Sequence, residues 1–298
     1  MSKVCVIAGL TATGKSKAAI TLAKKWNAEI ISADSVAVYR HLDIGSAKVT
    51  KQEQEGIPHH LIDICDLDET YNVARFQKEA RLLIEEIHSK GKNVIVVGGT
   101  GLYIKALLYD YRFNEEEIVH EVRTESTKDL YQELLTKDKD SAEAIHPNNR
   151  KRVIRALDSF DYHQETRNKL NNQNKNEQII DGTVFFLQGD RQKIYERINS
   201  RVDIMIALGL VDEVSSLYSN DKLVFDKQAL NSIGYREFKE YFLGNNSLDE
   251  TISLIKRNTR RFAKRQITWF KNQQDCILID IFNEDVDEIL ENWTRTLK

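Results

Sequence analysis

The chain has 298 residues, of which 41% are apolar and 30% charged, so it can bury a large core and is not disordered, collagen-like or membrane-spanning. Three widely spaced cysteines, at positions 5, 65 and 276, exclude a secreted disulfide scaffold and predict reduced thiols in a cytoplasmic protein. The net charge is only −3, but the basic residues are unevenly placed, which suggests an anionic partner at one face.

The first predicted element is an apolar strand at residues 3–8, which runs into the sequence GLTATGKS and a helix at 16–26. This is the phosphate-binding pattern GxxxxGK[ST] in its required strand–helix setting, and that setting argues against a signal peptide. Backbone N–H groups and the helix N-terminus would bind phosphate oxygens, Lys15 would add charge, and Ser16 would hold Mg²⁺. The predicted diphosphate- or nucleotide-binding residues are therefore Gly9, Leu10, Thr11, Ala12, Thr13, Gly14, Lys15 and Ser16.

Short apolar runs and amphipathic segments then alternate along the chain. They predict strands at residues 29–32 and 93–97, with a helix at 75–89 before the second of these strands. Such an alternation with short links predicts the α/β class, with a P-loop and a doubly wound, mostly parallel sheet.

The end of the second predicted strand carries Asp34, whereas the third ends in Gly98-Gly99-Thr100-Gly101 without a carboxylate. Many P-loop ATPases place a metal-binding Asp at the latter position. In a doubly wound sheet, the carboxyl ends of the strands open into one crevice, so Asp34 is predicted to be a general base close to the bound phosphates. Its plainer interpretation, as the N-cap of the next segment, is equally compatible with the position alone.

Composition changes after residue 112 and reverts at a further predicted strand, 183–187. Residues 113–146 are charged and helical, and residues 168–178 are rich in Asn, Lys and Gln. We therefore predict the first part of a P-loop core at 1–112, a helical insertion at 113–181, and the second part of the core at 182–298, including a C-terminal basic helix.

The basic helix is centred on residues 256–265, where six of ten residues are basic. At ~100° per residue these six fall on about half of the helical circumference, and Ile255, Phe262 and Trp269 fall on the other half. No acidic residue lies between residues 252 and 272. This pattern predicts one face on the core and another facing a ribose-phosphate backbone, although a solvated face is the plainer interpretation of any single basic cluster.

In their order along the chain, these motifs resemble those of the bacterial tRNA dimethylallyltransferase (tRNA isopentenyltransferase) family over nearly the whole length. Besides the phosphate loop, the matching segments include residues 34–39, 43–48, 58–63, 97–103, 146–155, 191–203, 209–214, 233–236 and 264–269. Leu10 and Val49 replace prolines that are usual in the family, and the Asn-rich tract replaces a Gly-Lys-Pro-like segment.

The resemblance implies transfer of a dimethylallyl group from dimethylallyl diphosphate to N6 of the adenosine immediately 3′ of the anticodon, with Mg²⁺ as cofactor. It implies a cytoplasmic enzyme whose partners are the tRNA anticodon stem-loop and dimethylallyl diphosphate, without a membrane, and we expect a monomer. Asp34, Thr100 and Lys15 would be catalytic. Ser16 would hold Mg²⁺ through the diphosphate, and Arg201 would close over it, with Arg191 and Arg197 as weaker candidates.

For tRNA binding, the resemblance marks Arg123, at the start of the insertion, which spacing alone would make a surface charge. The full predicted set is Asp34, Ser35, Val36, Ala37, Thr100, Arg123, Lys151, Arg152, Arg155, Gly234, Tyr235, Arg236, Arg260, Arg261, Lys264 and Arg265. The target base would have to leave the anticodon-loop stack to reach the crevice.

Two other functions share these features. A small-molecule or nucleotide kinase would use the same loop to bind ATP, but the missing Asp after residue 97 and the basic helix argue against it. A P-loop RNA-binding module without catalysis would leave Asp34 without a chemical role. The sequence leaves open whether ATP binds.

Overall fold

The computed structural model describes residues 3–113, 123–163 and 177–297. The chain forms two compact units, one of residues 110–177 and the other of the remaining two segments. The predicted insertion was 113–181, and two pairings place the division slightly earlier. Tyr109 forms an antiparallel bridge with Gln178, and the Asp110 N–H donates to the Glu177 carbonyl at 3.0 Å.

The larger unit is built on six strands, β1 Val4–Gly9, β2 Ala28–Ser32, β3 His59–His60, β4 Asn93–Gly98, β5 Gly182–Gln188 and β6 Ile277–Asp280. The sheet order is β3-β2-β4-β1-β5-β6, and every strand pairing is parallel. All six residues of β1 are buried, as expected for a strand covered on both faces. The predicted α/β fold with a parallel sheet is confirmed, whereas β3 and β6 were not predicted.

The helices among the described residues are numbered in chain order. Those of the larger unit are α1 Lys15–Trp26, α2 Val73–Ser89, α3 Gly101–Leu108, α7 Arg191–Ala207, α8 Leu210–Asn220, α9 Phe238–Phe242, α10 Leu248–Gln273 and α11 Val286–Arg295. The smaller unit contains α4 Thr127–Lys137, α5 Lys139–Ala144 and α6 Arg150–His163, which bury Leu130, Leu134, Val153 and Leu157 among others. No helix in the described ranges is both long and apolar enough to cross a membrane.

Helices cover both faces of the sheet and leave a crevice at its carboxyl edge. On one face, α1 and α11 pack through Trp26 and Trp293 against Ile7 and Phe185. On the other face, Phe76 of α2 stacks on Tyr103 of α3, with ring centroids 4.5 Å apart. The strand order reverses beside β1, which places a topological switch point where the loop after β1 begins.

Candidate active site

The shape of the phosphate loop depends on two glycines and on one hydrogen bond within the loop. Gly14 has φ +84°, a conformation that glycine adopts without strain, and it precedes α1 without a side-chain cap on the first N–H groups. A β-carbon on Gly9 would lie 2.9 Å from both Leu187 Cβ and Thr13 Oγ1. The Thr13 hydroxyl donates to the Leu10 carbonyl at 2.8 Å and fixes the curve of the loop. The helix N-terminus is thereby left open to an anion.

Beside this loop lies a cavity of about 580 Å³. It brings together many of the sequence-predicted residues, which are Thr11, Gly14, Lys15, Ser16, Asp34, Ser35, Val36, Thr100, Arg201, Gly234, Arg236 and Arg265. It also has an apolar part that the sequence did not predict, formed by Ile198, Val202, Met205, Ile255 and Phe262 among others. A polar end and an apolar wall in one cavity suit a ligand that combines an anionic group with a hydrocarbon chain.

Two buried basic side chains, those of Lys15 and Arg201, line the cavity. Burial and the nearby charge of Arg201 lower the pKa of Lys15 to about 8, although Asp34 opposes that shift. Burial also lowers the pKa of Arg201, against the charges of Asp34 and Glu53. Within the described ranges, no carboxylate oxygen lies within 4 Å of either cationic group, and Lys15 Nζ donates only to the Leu10 carbonyl, at 3.4 Å. The pair is suited to an incoming anion.

The position of Asp34 is compatible with both roles predicted for it from sequence, of which the structure shows the capping contacts. Its Oδ1 accepts the N–H of Val36 at 2.9 Å and that of Ala37 at 3.3 Å, as a cap of the turn after β2 does. No donor in the described part of the chain bonds the other oxygen, Oδ2. The turn therefore fixes the carboxylate at the cavity wall while one oxygen stays available for proton transfer.

Thr100 joins the ends of β2 and β4. Its Oγ1 accepts the Ser35 N–H at 3.4 Å and lies 3.5 Å from the Ser35 hydroxyl. Thr100 occupies the N-cap position of α3, but its side chain makes no capping hydrogen bond to the first turn. Its contacts instead hold the segment that follows Asp34.

Glu213, to which the sequence assigned no role, fixes another cavity wall. Its carboxylate accepts three consecutive backbone N–H groups, those of residues 43, 44 and 45, at 3.0, 2.8 and 3.2 Å. The Tyr235 hydroxyl donates to the same carboxylate at 2.8 Å and accepts the Ser46 N–H at 3.2 Å. The 43–48 loop is thus attached to the 231–236 segment, which the short 3-10 helix Ala229–Asn231 precedes. The signal in sequence was only that Glu213 lies in the 209–214 motif.

Three predicted contact residues are placed differently from expectation. Tyr235 is fully buried with its hydroxyl on Glu213, so it positions a loop and does not present a surface to RNA. Ala37 is 6% exposed, and its N–H is used by Asp34. Leu10 is 1% exposed and its N–H donates to the Leu187 carbonyl, so that N–H is not available to a phosphate.

The predicted basic helix is α10. The prediction of one face on the core and one basic, exposed face holds for most of its residues. Ile255 is buried, whereas Arg261, Lys264 and Arg265 are exposed. Two residues of the basic face are not free, because they bond to side chains of α7, which packs beside them. Lys256 pairs with Asp203 at 2.6 Å, and an Arg260 guanidinium nitrogen donates to Asn199 Oδ1 at 2.6 Å.

In the smaller unit, Arg123 is not the surface charge that its spacing suggested. Its side chain is 8% exposed, and the guanidinium pairs with Asp158 at 3.1 Å, with Glu133 at 3.5 Å and with Asp161. The guanidinium is therefore paired with carboxylates of its own unit, and its contact with tRNA stays a prediction. Three other predicted tRNA contacts of this unit are exposed on α6, namely Lys151, Arg152 and Arg155.

A metal at this site would depend on its ligand for most of its coordination. The described residues contain no cluster of three or more His, Cys, Asp or Glu that could hold an ion. The Ser16 hydroxyl lines the cavity next to Lys15, at the start of α1. One hydroxyl together with phosphate oxygens fits Mg²⁺, which retains waters and commonly binds through substrate phosphates.

Comparison with known proteins gives one consistent result. The model of the family described as IPP transferase matches residues 37–273. The tRNA dimethylallyltransferase of Bacillus pumilus is 43% identical over 96% of this chain and 93% of that protein, and the one from an Exiguobacterium species is 47% identical over 93% and 90%.

Solved structures agree with the sequence comparisons and favour a transferase over a kinase. The full-length tRNA isopentenylpyrophosphate transferase of Bacillus halodurans has a TM-score of 0.75 and 40% identity, over 100% of this chain and 96% of that one. A eukaryotic dimethylallyltransferase described as acting on tRNA has a TM-score of 0.84 and 31% identity, over 100% and 78%. With a phosphate loop, a carboxylate and an apolar wall in one cavity, this chain belongs to the IPP transferase family.

Proposed function

We propose that this enzyme transfers a dimethylallyl group from dimethylallyl diphosphate to N6 of the adenosine 3′-adjacent to the anticodon in tRNA, releasing diphosphate. The names of its relatives support the reaction. The observation that carries the proposal for this chain is the single cavity that contains anion-binding cations, an apolar wall and a carboxylate. Each of these three features corresponds to one part of the reaction.

The diphosphate would bind at the helix N-terminus of the phosphate loop, with Lys15 and Arg201 neutralising its charge. Both cations are withdrawn from water and lack a carboxylate within 4 Å in the described ranges, so an anion recovers much of their desolvation cost. Ser16 would hold Mg²⁺ together with the diphosphate oxygens, and the bound ion would further stabilise the leaving group. The hydrocarbon part would lie against Ile198, Val202 and their apolar neighbours.

The transfer step forms the bond between N6 and the allylic carbon and breaks the bond between that carbon and a diphosphate oxygen. The electron pair of the broken bond leaves with diphosphate, whose growing negative charge Lys15 and Arg201 stabilise. An adenine amine is a poor nucleophile, so loss of one N6 proton to Asp34 Oδ2 accompanies attack. The turn N–H groups on Oδ1 keep this carboxylate in place.

Exposed cations in each unit are suited to contact the tRNA backbone. The larger unit presents Arg261, Lys264 and Arg265 on α10, and the smaller unit presents Lys151, Arg152 and Arg155 on α6. Contacts of this kind fix the position of the RNA and make its binding salt-dependent.

The role of Asp34 is tested by Asp34→Asn, which keeps an oxygen for the Val36 N–H but removes the base. We expect transfer of labelled dimethylallyl to slow by at least about 100-fold, with affinity for the anticodon stem-loop nearly unchanged. Asp66→Asn is the matched control, since Asp66 is an exposed carboxylate paired with Arg40 away from the cavity. Transfer at the wild-type rate by Asp34→Asn would exclude the base role.

A further inference from the structure

Gln266, on the cavity side of α10, has a side chain whose orientation is fixed. The residue is 5% exposed, and its Nε2 donates to the Gly99 carbonyl at 2.9 Å. A carbonyl oxygen accepts and cannot donate, so the nitrogen of the amide must face Gly99 and the oxygen must face away. The fit is close, because a β-carbon on Gly99 would lie 2.4 Å from Gln266 Nε2.

The oxygen of this amide has no donor. Gln266 Oε1 is buried, and no hydrogen-bond partner for it exists among the described residues. A buried acceptor left without a donor reduces stability, and native proteins keep few of them. Since Gln266 lines the cavity, a ligand can supply the missing donor.

Gln266 and Asp34 are connected through the ends of β4 and β2. Gly99, which binds the Gln266 amide, precedes Thr100, and the Thr100 hydroxyl accepts the Ser35 N–H next to Asp34. Both side chains line the same cavity. Asp34 and Gln266 thus line one cavity, and each has a side-chain oxygen, Oδ2 and Oε1, without a donor among the described residues.

We propose that Gln266 Oε1 accepts a hydrogen bond from the exocyclic amine of the target adenosine and so selects an aminopurine; this inference rests on the proposed function. The amine has two N–H groups. One loses its proton to Asp34, and the other donates to Gln266 and remains on N6 in the product, so this hydrogen bond can persist throughout the reaction. Guanosine and inosine carry a carbonyl oxygen at this position, which would face two acceptors and be rejected.

The test measures binding of anticodon stem-loop RNAs that differ only at the target base, which is adenosine in one and purine riboside, lacking the amine, in the other. Wild type and Gln266→Met are compared in a double-mutant cycle. Wild type should prefer adenosine, and we expect this preference to fall about tenfold in Gln266→Met.

Gln274→Met is the matched control. Gln274 is also buried with an unpartnered Oε1 in the described part of the chain, but it does not line the cavity, and its Nε2 faces Tyr109 and Asp275. We expect it to retain the full wild-type preference. If Gln266→Met fails to fold, Gln266→Asn keeps an amide but withdraws the oxygen by one methylene.

An unchanged preference in the Gln266 variants, or no preference in wild type, would overturn the inference. The proposed function is tested separately, by a transfer assay in which wild type is incubated with labelled dimethylallyl diphosphate and the adenosine RNA. Absence of transfer with an intact, Gln266-dependent preference would refute the chemistry and leave the base recognition standing.

Discussion

Two groups of buried cations in this protein differ in their partners. In the first group, Lys48 has a side chain that is 5% exposed, yet it pairs with Asp43 and Asp63, each at 2.6 Å. Arg123, 8% exposed, shares its guanidinium among three carboxylates, of which Asp158 is itself 2% exposed. These charges are neutralised within the fold.

The second group consists of Lys15 and Arg201. Burial lowers the pKa of both, and no carboxylate oxygen within the described ranges lies within 4 Å of either. The difference separates cations that the fold pairs with carboxylates from cations that are left available for a ligand. A buried cation that the chain does not neutralise costs stability until an anion binds, which is the pattern expected of a functional site.

Lys15→Met should give the largest effect. Removing the charge that stabilises the leaving diphosphate should lower kcat/KM about 10²–10³-fold, through both kcat and KM. The free protein should become more stable, because folding holds the pKa of Lys15 at about 8, below its value of 10.5 in the unfolded chain, so the protonated lysine opposes folding at neutral pH. Transfer kinetics and thermal unfolding measure the two effects, and unchanged kinetics would exclude the assigned role.

Arg123→Met should have the opposite effect on stability. It removes the guanidinium that Asp158 and Asp161 share, and loss of one partner of a buried ion pair costs about 3 kcal/mol. Denaturant unfolding of the full chain measures the loss. Lys139→Met is the control in the same unit, because Lys139 and Glu143 are exposed and 3.8 Å apart, and it should have little effect. Equal losses in the two variants would contradict the distinction between buried and exposed pairs.

The pH dependence of diphosphate binding sharpens the comparison further. Lys15 carries its charge below a pKa of about 8 and loses it above, so its contribution should weaken as the pH rises. Between pH 7 and pH 9, the affinity advantage of wild type over Lys15→Met should fall about tenfold. Calorimetry with inorganic diphosphate measures both proteins, and the variant corrects for titration of the ligand. A ratio that does not change with pH would show that Lys15 does not titrate in this range.

The smallest effects should come from the basic face of α10. Arg261→Ala and Lys264→Ala should each weaken tRNA binding a few-fold and reduce the salt slope by about 0.7–0.9. Lys256→Ala is the internal control, because Lys256 already pairs with Asp203 and should change the slope less. The slopes come from tRNA affinities at several salt concentrations. A slope change for Lys256→Ala as large as that for Lys264→Ala would contradict the view that pairing removes a cation from RNA binding.

The sequence predicted those parts of the fold that are determined by residues close together in the chain. Central strands such as β1 are continuous apolar runs, and the phosphate loop needs specific residues for its backbone shape. The edge strand β3 was missed because two residues are too few to show a pattern, whereas β6 contains a short apolar run, Ile277-Leu278-Ile279, that was not predicted as a strand.

Side-chain roles that depend on distant partners were the least predictable. Glu213 binds N–H groups that are 168–170 residues away along the chain, and Gln266 binds a carbonyl 167 residues away. Tyr235 was predicted from its motif to contact RNA. Its hydroxyl instead binds the carboxylate of Glu213, which lies in another segment of the chain. Spacing along one chain carries no information about such pairs.

The most direct test of the central claim is a transfer assay with the wild-type protein. It contains Mg²⁺, labelled dimethylallyl diphosphate and unmodified tRNA with adenosine beside the anticodon, followed by digestion and mapping of the label. The proposed function predicts label on N6 of the adenosine immediately 3′ of the anticodon, with release of diphosphate. Absence of label from tRNA that still binds, or phosphate transfer from ATP to a small acceptor instead, would contradict it.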